Sequence, residues 1–141
     1  MIIINKRNLF FLISVWLLST LLSAQNVTIS TPHTQLLLSA PNGGTPKQLY
    51  YGSRTSDADI RSICETARGR NAYPVYGMGY PCETTLSVRH ADGNLTLQMA
   101  VIGVKETRLT KENATLTVIE LKDKVYPFFV NICYKAWQLS L

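Results

Sequence analysis

Side chains able to do chemistry are few in this sequence, and their spacing decides what they can do. The two histidines are His33, which follows Pro32, and His90, just before a turn. Neither neighbours a serine in a Gly-x-Ser-x-Gly elbow, and no cysteine sits beside a plausible base. Cys64, Cys82 and Cys133 show no Cys-x-x-Cys or paired-histidine spacing, so a metal site has no support. The carboxylates are Asp57, Asp59, Glu65, Glu83, Asp92, Glu106, Glu112, Glu120 and Asp123. Hydrolysis of a glycosidic bond needs two carboxyl groups facing each other across the sugar, about 5–9 Å apart. Asp57 and Asp59, two apart on a helix, point to different faces. Asp92 and Asp123 fit turns. No phosphate loop or dinucleotide fingerprint occurs. The residues alone therefore name no catalytic group, and an enzyme built on Cys133 or His90 has nothing beside it in sequence.

Composition narrows the class. The chain has 141 residues, 46% hydrophobic, 16% charged and 9% aromatic, with 8 glycines and 6 prolines. That excludes a disordered acidic tail, a collagen-like repeat and a polytopic membrane protein. A complete (β/α)8 barrel, which takes about 250 residues, is also excluded within it. The net charge is +5, but the basic residues are scattered. The densest group, Arg61, Arg68 and Arg70, has no interleaved aromatics, so no nucleic-acid partner is expected.

Residues 1–24 read as a secretory signal peptide. Lys6 and Arg7 form the positive start, Leu9 to Leu22 the apolar stretch, and Ser23-Ala24 the small residues before a cut at Gln25. The stretch is short for a spanning helix, which needs roughly 20 apolar residues. The expectation is export to the periplasm or the extracellular space of a bacterium, with no membrane span left after cleavage. Removing 24 of 141 residues leaves 117, with 12 basic against 9 acidic, a net +3. In an oxidising compartment a Cys64–Cys82 bridge is conceivable. The preferred reading keeps all three cysteines as small buried hydrophobes.

Residues 25–141 have the pattern of short strands. Segments 26–30, 35–39 and 47–51 have strand length and period two. Ser56 to Arg68 differs. Ile60, Ile63, Cys64 and Ala67 recur at helical spacing, Ser56 or Asp57 can cap, Asp57 and Asp59 suit the first turn, and Gly69 can stop it. An irregular surface loop is the alternative there. Asn71 to Pro81, rich in Tyr, Gly and Pro, reads as a structured loop over buried aromatics. Leu86, Val88 and His90 then alternate, Asp92-Gly93 suits a tight turn, and a strand from Leu95 to about Val104 completes a hairpin. A turn at 111–114 leads to a strand burying Leu116, Val118 and Glu120 or the alternates Thr117, Ile119 and Leu121. After a turn at 122–124, Val125 to Ala136 is a long apolar run, with Pro127 near its start. About seven strands and at most one helix predict an all-β, antiparallel sandwich.

Five segments, in order, resemble a known family. They are Thr31-Pro-His-Thr-Gln-Leu-Leu-Leu38, Leu49-Tyr-Tyr-Gly52, Tyr73-Pro-Val-Tyr-Gly77, Leu86-Ser-Val-Arg-His-Ala-Asp-Gly-Asn94 and Leu121-Lys-Asp-Lys-Val-Tyr-Pro-Phe-Phe-Val130. Together they resemble the start of an exported glycoside hydrolase family 36 α-galactosidase, up to about Gln138. The resemblance implies an N-terminal β-supersandwich of galactose-mutarotase type, followed in the family by a (β/α)8 barrel with an aspartate nucleophile and an aspartate acid/base. It implies retaining release of terminal α-linked galactose, no metal or organic cofactor, and homo-oligomers among intact relatives. The barrel and both aspartates have no counterpart here, and Leu139 to Leu141 leave the family pattern. The expectation is thus a sandwich truncated before the barrel, meeting α-galactosides only through that barrel. In some relatives the region after Gly52 reaches the sugar pocket, which makes Arg54, Asp57 and Asp59 the candidate substrate-binding residues. The rival reading is a free-standing carbohydrate-binding sandwich that stacks sugars on Tyr50, Tyr51, Tyr76, Tyr80 or Trp137.

Overall fold

The computed structural model describes residues 24–79 and 83–138. All of the proposed leader but Ala24 lies outside them, as do Tyr80, Pro81, Cys82 and the final three residues. Two antiparallel sheets face each other. The first runs β1 (Ala24–Ser30), β2 (Thr34–Pro41), β3 (Lys47–Ser53) and the two-residue β4 (Arg70–Asn71), in that order. The second runs β5 (Met99–Leu109), β6 (Ala114–Asp123) and β7 (Phe129–Trp137). Among the described residues one α-helix, α1 (Asp57–Thr66), joins β3 to β4.

Alternation explains which side chains meet. Val27, Leu38 and Ala40 of the first sheet close on Met99, Val101, Ile119 and Leu121 of the second. Val75 and Leu97, from the irregular chain between β4 and β5, complete that core with no exposed surface. Leu37 is equally buried but lies outside this cluster, because adjacent strand residues face opposite ways. On that same far face Gln35 is buried and satisfied. Its Oε1 accepts from the Thr55 backbone N–H at 3.2 Å and the Thr55 hydroxyl at 2.9 Å. The sheets also join through backbone. Gly43 N–H donates to Val101 O, and Val101 N–H donates to Gly44 O, each at 2.8 Å.

The helix forms where its capping signals predict. Ser56 is the N-cap, and its Oγ accepts from the Asp59 N–H at 3.2 Å. Ile60, Ile63, Cys64 and Ala67 are its half-buried side; Asp57, Ala58, Asp59, Arg61, Ser62, Glu65 and Thr66 are exposed. Gly69, at φ +63°, turns the chain back beside β3. A Cβ there would meet the Leu49 side chain at 2.8 Å. Cys64 is half-buried and Cys133 exposed, both as free thiols, so neither is the fully buried hydrophobe expected of it. Cys133 faces outward because β7 points Val130, Ile132, Tyr134 and Ala136 inward.

Two expectations need correction. Leu86 to His90 and Leu95 to Gln98 do not form a ladder with each other, although the turn between them exists. Gly93 N–H donates to His90 O, and His90 N–H to Asn94 O. The Tyr73–Gly77 segment lies between the two arms. Tyr76 N–H donates to Leu86 O at 3.4 Å, and Tyr76 O accepts from Leu97 N–H at 3.0 Å. Gly77 permits this close approach: at φ +94°, a Cβ would lie 2.4 Å from Thr96 Cγ2. The last strand begins at Phe129, not Val125. Asp123 takes residues 124–128 into a loop closed by Asp123 N–H donating to Phe128 O at 2.8 Å.

Candidate functional site

The candidate residues after β3 sit on the surface. Arg54, Asp57 and Asp59 are all exposed. The Arg54 backbone N–H donates to His33 O at 3.3 Å, which fixes where β3 ends. Asp59 Oδ2 accepts from the Ser56 hydroxyl at 2.7 Å, so its carboxylate is part of the helix cap. The groove beside this region, about 510 Å³, is lined by Gln48, Leu49, Tyr50, Tyr51, Gly69 and Arg70. None of the three candidates lines it. Tyr51 is 68% exposed there, while the half-buried Tyr50 donates its hydroxyl to Ser53 O at 2.9 Å.

A second group, which sequence reasoning did not assemble, joins the 90–94 turn to the loop before β7. The rings of His90 and Tyr126 stack at 3.6 Å with 10° between their planes, and Phe128 meets His90 edge-on. The Tyr126 hydroxyl donates to Asp92 Oδ2 at 2.7 Å and accepts from Asn94 Nδ2 at 2.9 Å. The Tyr126 hydroxyl and the Asn94 backbone N–H hold the Asp92 carboxyl below its ordinary pKa, and nearby His90 adds to this. The same bond pushes the Tyr126 hydroxyl up. His90 Nε2 is buried and has no hydrogen-bond partner among the described residues. Asp-Gly announced the turn, but nothing local to Asp92 announces Tyr126.

Beneath this clasp lies Asp123, buried as turn residues seldom are. Burial alone pulls its carboxyl up. The backbone N–H groups of Tyr126, Gln98 and Val125 more than offset that, and the net shift is downward. Their distances are 2.9, 2.7 and 2.8 Å. Both aspartates thus do the turn work expected of them.

The clefts lined by described residues differ in the carboxylates they hold. The His90–Phe128 cleft, about 360 Å³, holds one carboxylate, Asp92. A smaller one of about 170 Å³, between β1 and the second sheet, holds only Glu106. The groove beside β3 holds none. None of the three presents the facing carboxyl pair that glycoside hydrolysis requires. Among the described residues no group of three His, Cys, Asp or Glu is placed to hold a metal, and no helix is long and apolar enough to cross a membrane.

The described residues form a two-sheet β-sandwich with one capped helix. The chain belongs to glycoside hydrolase family 36: the family model described as the glycosyl hydrolase family 36 N-terminal domain matches residues 44–140. Solved structures agree in fold. A family 36 α-galactosidase from Geobacillus stearothermophilus, in complex with 1-deoxygalactonojirimycin, is similar at TM-score 0.67 and 15% identity, over 81% of this chain and 20% of that one. The α-galactosidase from Lactobacillus brevis gives 0.63 and 15%, over 78% and 19%. The galactosidase domain of an α-galactosidase–sucrose kinase gives 0.64 and 18%, over 82% and 20%. The chain thus spans about a fifth of the length of these proteins. No curated protein matches it significantly in sequence.

Proposed function

We propose that this chain is the non-catalytic N-terminal sandwich of an exported family 36 α-galactosidase. The parent reaction would be retaining hydrolysis of terminal α-D-galactosides, carried out on a barrel. The match of the family's N-terminal domain over residues 44–140 carries this reading. In this reading the domain is the first part of a galactose-mutarotase-like supersandwich, and its job is to support the barrel and assemble subunits. Arg54, Asp57 and Asp59 would reach a sugar only alongside residues from the barrel, which suits their exposure. No metal or organic cofactor enters the reaction so proposed.

Export rests on the pattern of residues 1–24. Cleavage after Ala24 leaves β1 from Gln25 to Ser30, each residue still paired with β2.

The test is an α-galactosidase assay on the purified chain with a chromogenic α-galactoside. The expected result is no turnover above buffer from a folded protein; turnover would sink the non-catalytic assignment. Mass spectrometry of exported chain should find Gln25 at its start, and an intact Met1 in that fraction would sink the cleavage. The exposed ring of Tyr51 beside Gln48 and Arg70 favours a second reading, a sugar-binding groove. Saccharide titration followed by Tyr51 ring resonances decides it, and unmoved signals at millimolar sugar would end it.

A further inference from the structure

The turn at Pro41-Asn-Gly-Gly44 fastens the two sheets through backbone, and its residue types have a chemistry of their own. Asn42 is the one asparagine in the sequence followed by glycine. With no side chain on the next residue, the backbone nitrogen has its least hindered path to the asparagine amide carbon. Asn42 and Gly43 are exposed, and a Cβ at Gly43 would meet nothing within 4 Å, so water and open space adjoin the reacting atoms. The fold opposes the reaction. Gly44 N–H donates to Pro41 O at 2.9 Å, Gly43 has φ +75°, and Asn42 is not among the positive-φ residues. This is a type II turn, whose second residue has ψ of about +120°. Ring closure needs the Gly43 nitrogen eclipsed with Asn42 Cβ, roughly a third of a rotation from there. It also needs the Gly43 nitrogen to lose the proton it donates to Val101 O at 2.8 Å. The ring and the clamp exclude each other. The one Asp-Gly pair, Asp92-Gly93, is disarmed differently. Its carboxylate is held by the Tyr126 hydroxyl and the Asn94 N–H, and an ionised carboxylate is a poor target for a nitrogen nucleophile.

We propose that Asn42 is a deamidation site gated by the inter-sheet clamp, and that its isoaspartyl product unfastens the sheets. When the turn opens, the Gly43 nitrogen gives up its proton to water or hydroxide and bonds to Asn42 Cγ. The Cγ–Nδ2 bond breaks and ammonia leaves, which closes a five-membered imide. Water then opens the imide, with no oxidant or reductant. Cleaving the bond between Cγ and the nitrogen restores the backbone with an aspartate side chain. Cleaving the bond between the Asn42 carbonyl carbon and the nitrogen routes the backbone through Cγ, longer by one methylene. The lengthened turn cannot place Gly43 N–H on Val101 O and Gly44 O on Val101 N–H together, so one or both bonds break. Val101 is buried, so its backbone groups are left unpaired where water replaces them poorly. The modification needs no enzyme and no partner, and nothing in it depends on the catalytic activity of the parent.

Peptide mapping by mass spectrometry tests it on the purified chain in mildly alkaline buffer, folded and in denaturing urea. Asn42 should convert to a mixture of aspartate and isoaspartate, at least about tenfold faster in urea, because the clamp bonds must first open. Below the unfolding transition, deamidation and hydrogen exchange at Gly43 should accelerate together as urea is added, since both need the same opening. Asn42→Gln, whose ring would have six members, should stay unconverted in both states while keeping the fold. The isoaspartyl form, separated by chromatography, should exchange its Gly43 and Val101 amides at least about tenfold faster than the parent. Asn42→Asp, with the ordinary backbone, should exchange them as the parent does. No conversion in urea, equal rates with and without it, Gly43 exchange that does not track deamidation, or an isoaspartyl form as protected as the parent would each overturn the proposal.

Discussion

The β5–β7 meander and the chain from Ala72 to Gln98 pack against the same core but hold their shapes differently. In the meander, β6 pairs along nearly its whole length with both neighbours, Met99 to Leu109 on one side and Phe129 to Trp137 on the other. Every rung supports the next, and Ile119 and Leu121 are buried by a register the ladder repeats many times over. Among its described residues the 72–98 chain has a single parallel bridge, Val75 with Leu86, and a few backbone bonds outside any ladder. What positions it is two fully buried side chains, Val75 and Leu97, and the polar contacts around Asp123 and Tyr126. A ladder spreads the loss of one residue over many bonds, whereas a pinned loop concentrates it. The difference predicts where the fold is brittle.

Truncating a pin is the strongest way to break the comparison. Leu97→Ala should cost about 2–5 kcal/mol, the range for emptying a closed aliphatic site. Ile119→Val in the ladder should cost only about 0.5–1.5 kcal/mol. Urea unfolding measures both. Because the two substitutions remove different numbers of carbons, hydrogen exchange decides the comparison, and that of Leu97→Ala should accelerate first between residues 73 and 98. Uniform acceleration across both regions would mean that the loop and the ladder unfold as one unit, and the contrast would fail.

The sequence was readable where structure is local. Ser56, Asp59 and the spacing of Ile60, Ile63, Cys64 and Ala67 announced α1, because capping and helical periodicity are written within one turn. Alternation announced β6 but left its inner face open, since Leu116 and Val118 are as apolar as Ile119 and Leu121. The inner face is Thr117, Ile119 and Leu121, fixed by pairing with β5 and β7 and by the buried Asp123 that ends the strand. The insertion of Tyr73–Gly77 between two predicted hairpin arms was not legible. Tyr76 finds its partners at Leu86 and Leu97 through backbone groups, which carry no sequence signal. Of the sites, Arg54, Asp57 and Asp59 were found on the surface near α1. The His90–Tyr126 stack was missed because its members come from separate turns.

Asp123 sharpens the contrast through pH. Its folded pKa lies below the ordinary aspartate value, so the charged form favours the folded state. That stability is fully present above the unfolded value and is lost as pH falls through the folded one. Asp123→Asn keeps the size but cannot accept at both oxygens, so one or more of the Gln98, Val125 and Tyr126 N–H groups loses its partner. The loss should be about 1–3 kcal/mol at neutral pH, smaller than that of Leu97→Ala. Because asparagine does not titrate there, stability of the variant should fall less steeply in acid. Urea midpoints from neutral pH downward test this, and a variant whose acid slope matches the parent's would show that Asp123 does not carry the linkage.

The smallest effect should come from the clasp above it. Tyr126→Phe removes the hydroxyl that donates to Asp92 and accepts from Asn94, while the ring can still stack on His90. This bond lies at the surface, where water replaces a lost partner, so global stability should hardly move. Local titration should move instead. The hydroxyl is the largest influence lowering the Asp92 pKa, so its removal should raise that pKa toward the ordinary aspartate value. The Asn94 N–H at 3.0 Å remains and keeps part of the depression. A carboxyl-detected NMR titration reads Asp92 directly, with Asp123 as an internal control whose own backbone donors are untouched. If Asp92 stays put, the turn rather than the clasp sets its charge. If Asp123 moves with it, the loop before β7 has shifted as a body, and the two aspartates report one pinned structure instead of two independent turns.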